Sequence, residues 1–483
     1  MIATPKLEFA PIMPELILCG AAILGLLYEA FAPKAQRLGH LALALAGLFA
    51  AALATFPLWH WHGPPSVMGG MVAVDRFSVV SRLVLLSIAA MALLYGTHYL
   101  ERSGDTFRGE FYPLVLFATV GMTLITAAAD LIVVFLALEV LSLSLYVLAG
   151  LTGRAASTEA AMKYFLLGAF SSAFFLFGVA WAYGATGTTS ITAIANALAG
   201  RTGSQAMALL AFAFLVIGFG FKVAAVPFHM WTPNVYQGAP TPVTAFMSAA
   251  TKVAAFLALI RVFDVAFQPL TWDWVPVVWV LAAATIVVGS VLAIAQTDIK
   301  RMLAYSSIAN AGFILTGLTA ANQTGIRAAM FYLIAYAAMT LGAFGVVMLV
   351  SAKGEEQTSL VSYAGLSRRS PLLAGLMTLF LLSLAGIPPT AGFMAKVGVF
   401  GAAIRAGYWP LALIGVIASV AAAFFYLRVI VLMYMQEPQG VLDEDRTVLL
   451  RVAIAIPAIL TLVLGIFPGL LVGILEKASI LRW

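Results

Sequence analysis

Four ionisable residues stand inside long apolar segments, where a charged side chain is costly. Glu139 lies in LIVVFLALEVL, Lys222 in GFGFKVAAVP, Lys252 in SAATKVAAF and Lys396 in GFMAKVGVF. Insertion scales place a lysine or aspartate at the centre of a membrane helix at roughly +2.5 to +3.5 kcal/mol. Such residues are retained in membrane proteins where they pair with each other or serve transport, so these four are the first candidates for function.

Three interpretations of these charges compete. A basic residue near a helix end can extend its charge to the membrane interface, which we expect of Lys163 and Arg261. A carboxylate and an ammonium can instead form a structural ion pair, for example Glu139 with Lys222. The third interpretation is a proton relay, because burial brings the pKa of a lysine and of a carboxyl toward neutral pH, where they can exchange protons. The combination of several lysines and one glutamate in a single chain favours the relay.

Hydroxyl and amide side chains neighbour these charges. They are Ser142, Ser144 and Tyr146 after Glu139, Ser248 and Thr251 before Lys252, and Tyr305, Ser306, Ser307 and Asn310 in a later apolar segment. Hydroxyls and bound water could carry protons between the charged groups. Each hydroxyl could equally bond a backbone carbonyl of its own helix, which is common in membrane helices.

The composition indicates an integral membrane protein. The 483 residues are 63% hydrophobic and 10% charged, against about 25% charged in soluble globular proteins, and the mean hydropathy is +1.03. A soluble chain of this length could not bury so much apolar surface. The net charge of +6 comes from basic residues scattered over short loops. It therefore indicates contact with anionic lipid and not with nucleic acid.

The composition also limits the chemistry of this chain. Its one cysteine, Cys19, can neither ligate an iron–sulfur cluster nor form an internal disulfide. Among five histidines, only His229 lies near a buried motif. His60 and His62 lie among tryptophans, a pattern typical of the membrane interface rather than of a metal site. No phosphate-binding loop, nucleophile elbow or dinucleotide motif is visible.

About fourteen apolar segments are long enough to cross a bilayer, which takes roughly 20 residues. They lie at about 11–31, 38–58, 76–100, 111–128, 130–151, 160–185, 205–229, 241–265, 275–295, 300–320, 326–350, 371–401, 408–434 and 448–473. Asp130 begins the fifth segment, where a carboxylate complements the helix dipole as a cap. The sequence thus predicts an all-α polytopic membrane protein.

The loop charges predict the orientation. Loops after odd-numbered segments are richer in basic residues, such as Lys300 and Arg301, whereas one loop after an even-numbered segment carries Asp264 and Asp273. The positive-inside rule then places the odd-numbered loops in the cytoplasm. Both termini are predicted on the opposite, periplasmic side.

A weak internal repeat is visible in the segment order. Segments four to eight and nine to thirteen form two sets of five, and an odd number forces the second set to run inverted. The fourth member of each set, helices seven and twelve, is broken by glycine and proline around Lys222 or before Lys396, which indicates a transport site near mid-membrane. The predicted units are 1–105, 106–268, 269–436 and 437–483, namely three N-terminal helices, two five-helix repeats and a C-terminal helix.

The run from Pro227 to Pro242, PFHMWTPNVYQGAPTP, resembles the signature of the subunit N family of NADH-quinone oxidoreductase, respiratory complex I. Glu139 with its following SLSLY, Lys222, Lys252 and IPPTAGFMAK, which ends at Lys396, match the same pattern. The resemblance covers nearly the whole chain. One departure is Asn234, where the family pattern leads us to expect an aspartate, and we expect Asn234 to lie in a loop.

The resemblance implies a fourteen-helix fold with two inverted five-helix repeats, and a proton channel driven by quinone reduction elsewhere in the complex. It also implies roles for the buried charges. Glu139 and Lys222 would form a switching pair, Lys252 the central relay and Lys396 the exit-side relay. The chain would then be a proton-translocating subunit of an enzyme without a redox site of its own.

The resemblance further implies that NADH, FMN, iron–sulfur clusters and quinone are bound by partner subunits, so no cofactor or metal is expected in this chain. The expected partners are other complex I subunits, especially neighbouring antiporter-like membrane subunits, and membrane lipid in a bacterial cell inner membrane. Two alternatives stay open at this stage. One is a subunit of a cation/proton antiporter without redox coupling, and the other is a structural membrane subunit whose charges only fix helix packing.

Overall fold

The structure is a computed structural model that describes residues 8–31, 37–102, 109–200, 202–352, 355–439 and 448–481. The described residues fold almost entirely into α-helices. In chain order these are α1 (Met13–Phe31), α2 (Arg37–Thr55), α3 (Arg76–Arg102), α4 (Phe111–Ala127), α5 (Leu131–Ala149), α6 (Ala155–Thr186), α7 (Ile191–Ala199), α8 (Gln205–Val223), α9 (Trp231–Gly238), α10 (Thr241–Phe246), α11 (Lys252–Arg261), α12 (Thr271–Ile294), α13 (Ile299–Leu318), α14 (Gln323–Leu349), α15 (Leu366–Arg369), α16 (Pro371–Ala385), α17 (Ala391–Arg405), α18 (Trp409–Met435), α19 (Val448–Ile466) and α20 (Gly469–Ala478).

Shorter elements join these helices. Two π-helices, Met247–Thr251 and Val262–Ala266, flank α11. Two antiparallel hairpins, β1 (Ser66–Val67) with β2 (Val72–Ala73) and β3 (Ser351–Ala352) with β4 (Glu355–Glu356), lie in loops. The 3-10 turns are Ala10–Ile12, Phe56–His60, Gln268–Leu270 and Leu360–Tyr363.

Ten helical stretches of the described chain are long and apolar enough to cross a membrane, and an eleventh arises if the bent pair α19–α20 counts as one. Two further apolar helices, α4 and α16, are shorter. The prediction of a polytopic all-α membrane protein is therefore confirmed. The bend of 87° between α19 and α20 differs from the single predicted segment 448–473. Pro468 immediately precedes α20, and proline has no N–H with which to continue the helix.

Side-chain caps set several helix starts. Asp130 accepts the amide of Ile132 at 2.8 Å, as the sequence predicts for the start of α5. Asp298 and Asn322 cap α13 and α14 in the same way, at 2.9 and 3.0 Å. Because a cap satisfies backbone N–H groups that the first turn leaves unpaired, these residues fix where each helix begins.

Two segments form the centre of the bundle. In the most apolar 18-residue window of Thr241–Ala266 every residue is buried within the protein, and 94% are buried in that of Gln323–Leu349, against 33% in that of the outer helix α18. The central segments therefore contact protein on all sides instead of lipid. Polar groups placed on them are shielded from the membrane, which is the setting in which intramembrane charges occur.

Two helices are interrupted within the bundle. α8 ends just before Ala224, which has a φ of +60°, and α9 begins at Trp231. α16 ends just before Gly386, which has a φ of +86°, and α17 begins at Ala391. The sequence predicts interruptions in these two places. A broken helix leaves terminal carbonyl groups unpaired by the helix itself, so nearby side chains can bond them.

Buried ion pairs join helices that are distant in sequence. Arg261 forms two hydrogen bonds of 3.0 Å with the Asp75 carboxylate and one of 2.8 Å to the Thr126 carbonyl. The prediction that Arg261 reaches the membrane interface is wrong, because its side chain is fully buried. Its partner precedes it by 186 residues, so the local sequence gives no sign of the pair. Lys163, which is 44% exposed and pairs with Glu159, does lie on the surface.

Candidate functional site

Lys222 lies in the last turn of α8, just before the helix breaks. Its side chain is buried, and Nζ donates to the Ser142 hydroxyl of α5 at 2.6 Å. The Tyr146 and Tyr164 rings lie 5.6 and 5.3 Å from Nζ. Ser142 in turn donates to the Leu138 carbonyl. The ammonium therefore has a neutral hydroxyl and aromatic rings as its immediate partners.

Glu139 lies one turn before Ser142, on the same face of α5. It is half-buried, and within the described residues its Oε1 has no hydrogen-bond partner. The carboxylate is near enough to interact electrostatically with Lys222, but the described structure has no direct ion pair between them. Glu139 and Lys222 thus lie on neighbouring helices, and Ser142, not Glu139, contacts the lysine.

Lys252 is the first residue of α11, directly after the π-helix. Its side chain is 1% exposed, and Nζ bonds the Ser307 carbonyl of α13. The Tyr336 ring of α14 lies 5.6 Å from Nζ. In the described part of the chain the hydroxyls of Ser307, Tyr336 and Thr251 make no well-aligned hydrogen bond, although Ser307 lies close to Tyr236 and Tyr336. Buried polar atoms left in this state commonly bind water.

Lys396 lies in α17, opposite the end of α16. Nζ donates to the Ala385 carbonyl at 2.8 Å, and the Phe313 ring of α13 lies 4.6 Å away. Ala385 is the last residue of α16, so the lysine bonds a carbonyl freed by the helix break. An ammonium is favourable there because the C-terminal end of a helix carries partial negative charge.

A hydrogen-bonded cluster lies between Lys252 and Lys396. Tyr332 donates to the Asn310 amide oxygen at 2.7 Å, and Asn310 donates to the Ser306 carbonyl at 2.8 Å. Ser306 bonds the Tyr426 hydroxyl of α18. The sequence analysis singled out Ser306 and Asn310 but missed the tyrosines. Tyr332 lies one turn from Tyr336 within the apolar stretch MFYLIAYAAM of α14, and this spacing is the signal that could have identified Tyr332.

One helix therefore contacts both of the later lysines. α13 presents Ser307 to Lys252, Phe313 to Lys396, and Asn310 midway. With a rise of 1.5 Å per residue, six residues of helix span about 9 Å. α13 thus contacts both Lys252 and Lys396 within two helical turns.

A row of aromatic rings leads from Lys222 toward the same helix. The ring centroids of Tyr146 and Tyr164 are 4.8 Å apart, and those of Trp231 and Tyr236 are 6.0 Å apart. Between them the rings of Tyr164 and Trp231 stack, with their centroids 4.6 Å apart. Tyr236 is fully buried close to Ser307. The three lysines thus adjoin one buried band of hydroxyls, rings and ammonium groups, and Glu139 lies one turn from Ser142 at the Lys222 end of this band.

Asn234 lies in α9 and not in a loop, so that expectation is wrong. Its Oδ1 accepts from Arg301 Nη1 at 2.7 Å, and Gln237 accepts from the same guanidinium at 3.2 Å. α9 is only eight residues long, and the glycine and proline around it hid its helical state. An asparagine keeps the hydrogen bond to Arg301 without the charge of an aspartate.

Within the described residues, no group of three or more histidine, cysteine, aspartate or glutamate side chains could hold a metal ion. The buried band is instead built of lysines, hydroxyls and aromatic rings. Lysine ammonium groups and hydroxyls are side chains that can form hydrogen bonds and exchange protons.

The comparisons with known proteins agree with this arrangement. Residues 128–422 match the family model described as "NADH:quinone oxidoreductase/Mrp antiporter, TM". A chain of the Mrp complex from Dietzia sp. DQ12-45-1b superposes with a TM-score of 0.84 at 22% identity, covering 96% of each chain. The fold and the buried band therefore define an antiporter-like membrane subunit.

The closer similarities are to complex I. NADH-quinone oxidoreductase subunit N from Rhodococcus opacus (strain B4) is 47% identical, over 99% of this chain and 97% of the relative. A chain of respiratory complex I from Thermus thermophilus with bound aureothin is 36% identical with a TM-score of 0.81, covering 95% of this chain and 98% of that one. The chain belongs to the NADH-quinone oxidoreductase subunit N family.

Proposed function

We propose that Glu139, Lys222, Lys252 and Lys396 form a proton relay, through which this chain acts as the proton-translocating membrane subunit of NADH-quinone oxidoreductase. The observation that carries the proposal is the contact of α13 with both Lys252 and Lys396. Since each buried ammonium bonds a neutral carbonyl or hydroxyl, no described partner holds it permanently charged. A lysine in such a setting can release and regain a proton.

The first step of the relay would be a change of partner at Lys222. Its ammonium bonds Ser142, one turn from the Glu139 carboxylate on the same helix face. A small movement of α5 against α8 would make the Glu139 carboxylate, in place of the Ser142 hydroxyl, the partner of the Lys222 ammonium. An opposite charge in contact favours the charged form of the lysine, and its withdrawal favours release of the proton. Quinone reduction in partner subunits would drive this movement.

The next steps would carry the proton along the buried band. Lys222 would exchange with Lys252 along the aromatic row, and Lys252 with Lys396 along α13. The unpartnered hydroxyls near Lys252 favour bound water in the path. Lys396, at the freed end of α16, would release the proton on the exit side. NADH, FMN, iron–sulfur clusters and quinone would be bound by partner subunits of the complex, and neighbouring antiporter-like membrane subunits would adjoin this chain.

The same proposal includes the finer architecture. We propose fourteen crossings, with two inverted five-helix repeats in residues 106–268 and 269–436, flanked by the units 1–105 and 437–483. The interruptions at Ala224 and Gly386 support the pairing, because each falls in the fourth helix of its set. The membrane would be the bacterial cell inner membrane, with both termini periplasmic. Residues 1–7 and 482–483 lie outside the described residues.

Orientation can be tested with thiol labelling, since Cys19 is the only native cysteine. In a Cys19→Ser background, single cysteines at Ser362 and Ser204 would lie on opposite sides of the membrane. A membrane-impermeant maleimide added to intact cells should label the Ser204 position alone. Labelling of the Ser362 position alone would reverse the proposed orientation.

The relay itself is tested by Lys252→Ala in the assembled, reconstituted complex. We expect fewer protons translocated per NADH oxidised, because the central group of the band is gone. Lys163→Ala is the matched control, since Lys163 lies on the surface outside the band. Proton translocation per electron that stays intact in Lys252→Ala would overturn the relay.

A further inference from the structure

A cavity of about 170 Å³ lies at the end of the bundle where α13 joins α14 and α17 joins α18. Its polar wall holds Thr324, Arg327 and Arg405. Arg327 is in the second turn of α14, and Arg405 ends α17. The N-terminus of α14 adds its own partial positive charge beside them. Positive charge thus gathers at the mouth of the cavity.

The opposite wall of the cavity is apolar. Phe331, Met394 and Val397 line it. From the rise of 1.5 Å per residue, Phe331 lies about 6 Å below Arg327 along α14, and Met394 about 16 Å below Arg405 along α17. The cavity therefore has a charged mouth at the helix ends and an apolar wall that runs toward the centre of the membrane.

The position of α20 indicates the depth of the cavity mouth in the membrane. It turns by 87° from α19, so if α19 crosses the membrane, α20 lies along its surface. Leu470 and Ile474, one turn apart on α20, are 65% and 47% exposed. Exposed apolar residues on one face are typical of a helix lying in the membrane interface. Pro468 and Val472, next to that helix start, also line the cavity, which places the two arginines at the depth of lipid headgroups.

The charge at the mouth is only partly compensated. Arg327 lies 3.5 Å from the Glu476 carboxylate of α20, a pair whose members are 31% and 65% exposed. Exposed pairs of this kind contribute little and leave the arginine available to another anion. Arg405 has no ion-pair partner in the described part of the chain. Two arginines therefore face one carboxylate, and an excess of one positive charge remains.

We propose that Arg327 and Arg405 bind the phosphate group of an anionic phospholipid, with an acyl chain along Phe331, Met394 and Val397. Guanidinium groups suit phosphate because they donate paired hydrogen bonds. Basic pockets between membrane helices bind lipid headgroups on the cytoplasmic side of membranes, and the same chemistry would apply here on the periplasmic side. The apolar wall distinguishes a lipid from a free phosphate ion, which would use the mouth alone.

The test uses the whole complex, reconstituted into phosphatidylethanolamine vesicles. A trace of phosphatidylglycerol with a photoreactive acyl chain is added, and the labelled peptides are identified by mass. Wild-type protein should be labelled on α17 around Met394 and Val397. At sub-saturating lipid we expect a loss of about fivefold for each arginine removed, so about 25-fold in Arg327→Gln/Arg405→Gln.

Lys477→Gln is the matched control. It also removes one positive charge, but Lys477 lies on α20 and does not line the cavity. It should keep wild-type labelling. Val397→Trp keeps both arginines and narrows the apolar wall on an exposed face, so it should also lose labelling if the acyl chain lies there. Because both arginines are still present in this variant, its loss of labelling would come from the blocked lipid site and not from misfolding caused by missing charges.

Three results would overturn the proposal. One is equal labelling of wild type and the double arginine variant. Another is equal labelling by a photoreactive phosphatidylethanolamine, which would show a lipid contact without headgroup recognition. The last is complete displacement of the label by excess inorganic phosphate, which would assign the arginines to a free anion.

Discussion

Removing the carboxylate of Glu356 should weaken the attachment of the β3–β4 hairpin to the bundle. Lys300 Nζ lies 3.0 Å from Glu356 Oε2 and donates to the Ala239 carbonyl at 2.7 Å. Glu356 Oε1 accepts the amide of Thr241 at 3.0 Å. One carboxylate therefore bonds residues at the starts of both α13 and α10. α10 is the first helix of the central segment Thr241–Ala266.

The magnitude follows from the burial of the pair. The side chains of Lys300 and Glu356 are 2% and 17% exposed, and breaking a buried pair by removing one partner costs about 3 to 5 kcal/mol. Glutamine keeps an acceptor for the Thr241 amide, so the cost of Glu356→Gln in free energy of unfolding should lie at the low end of this range. A loss of about 3 kcal/mol is roughly a hundredfold in the folding equilibrium. The neutral pair, Lys300→Met/Glu356→Gln, should recover part of this loss because no charge is then left buried.

The assay is the free energy of unfolding of the purified chain in mixed micelles with increasing dodecyl sulfate. A double-mutant cycle of Glu356→Gln and Lys300→Met measures the coupling between the two side chains. We expect strong coupling. If Glu356→Gln has the same effect with and without Lys300, the carboxylate does not act through this pair and the reasoning fails.

The same pair gives a prediction about pH. Burial acts to raise the pKa of Glu356, but the charge of Lys300 and the bond from Thr241 outweigh it, so the pKa is lowered from its ordinary value of 4.5. A group whose pKa is lowered by folding stabilises the protein above its unfolded pKa, and that stability is lost as pH falls through the folded pKa. The difference between wild type and Glu356→Gln should therefore be full at neutral pH and shrink as pH falls below about 4.5. A difference that does not change with pH would contradict this origin.

Two further predictions concern the buried band. Ser142→Ala removes the hydroxyl that Lys222 bonds, so proton translocation per NADH should fall and its pH profile should shift; Ser144→Ala, which loses only a bond to its own helix, is the control. Gly386→Ala adds a Cβ at a φ of +86° and 2.9 Å from the Lys396 side chain, and should destabilise the protein by about 1 to 2 kcal/mol and lower translocation. Gly375→Ala in the same helix meets open space and should leave thermal stability and translocation unchanged. Wild-type translocation in both Ser142→Ala and Gly386→Ala would show that local geometry at the lysines is unimportant.

The sequence by itself determined the features that depend on local residues. Hydropathy marks most of the spanning helices, because a segment must be apolar along its own length to lie in lipid. Proline and glycine mark the breaks in α8 and α16, and Asp130 marks the start of α5. The four charged residues within apolar segments were visible because their neighbours in the chain are apolar.

Only the tertiary structure decided which side chains meet. Arg261 pairs with Asp75, and Lys222 bonds Ser142 while Glu139 stays one turn away. The tyrosines of α14 and α18 join the band from helices far along the chain. Such contacts depend on how helices pack across the bundle, and packing is set by the shapes of many side chains at once. The sequence of one apolar segment does not show which face of a neighbouring helix will pack against it. The partners of each charge could therefore not be obtained from the sequence alone.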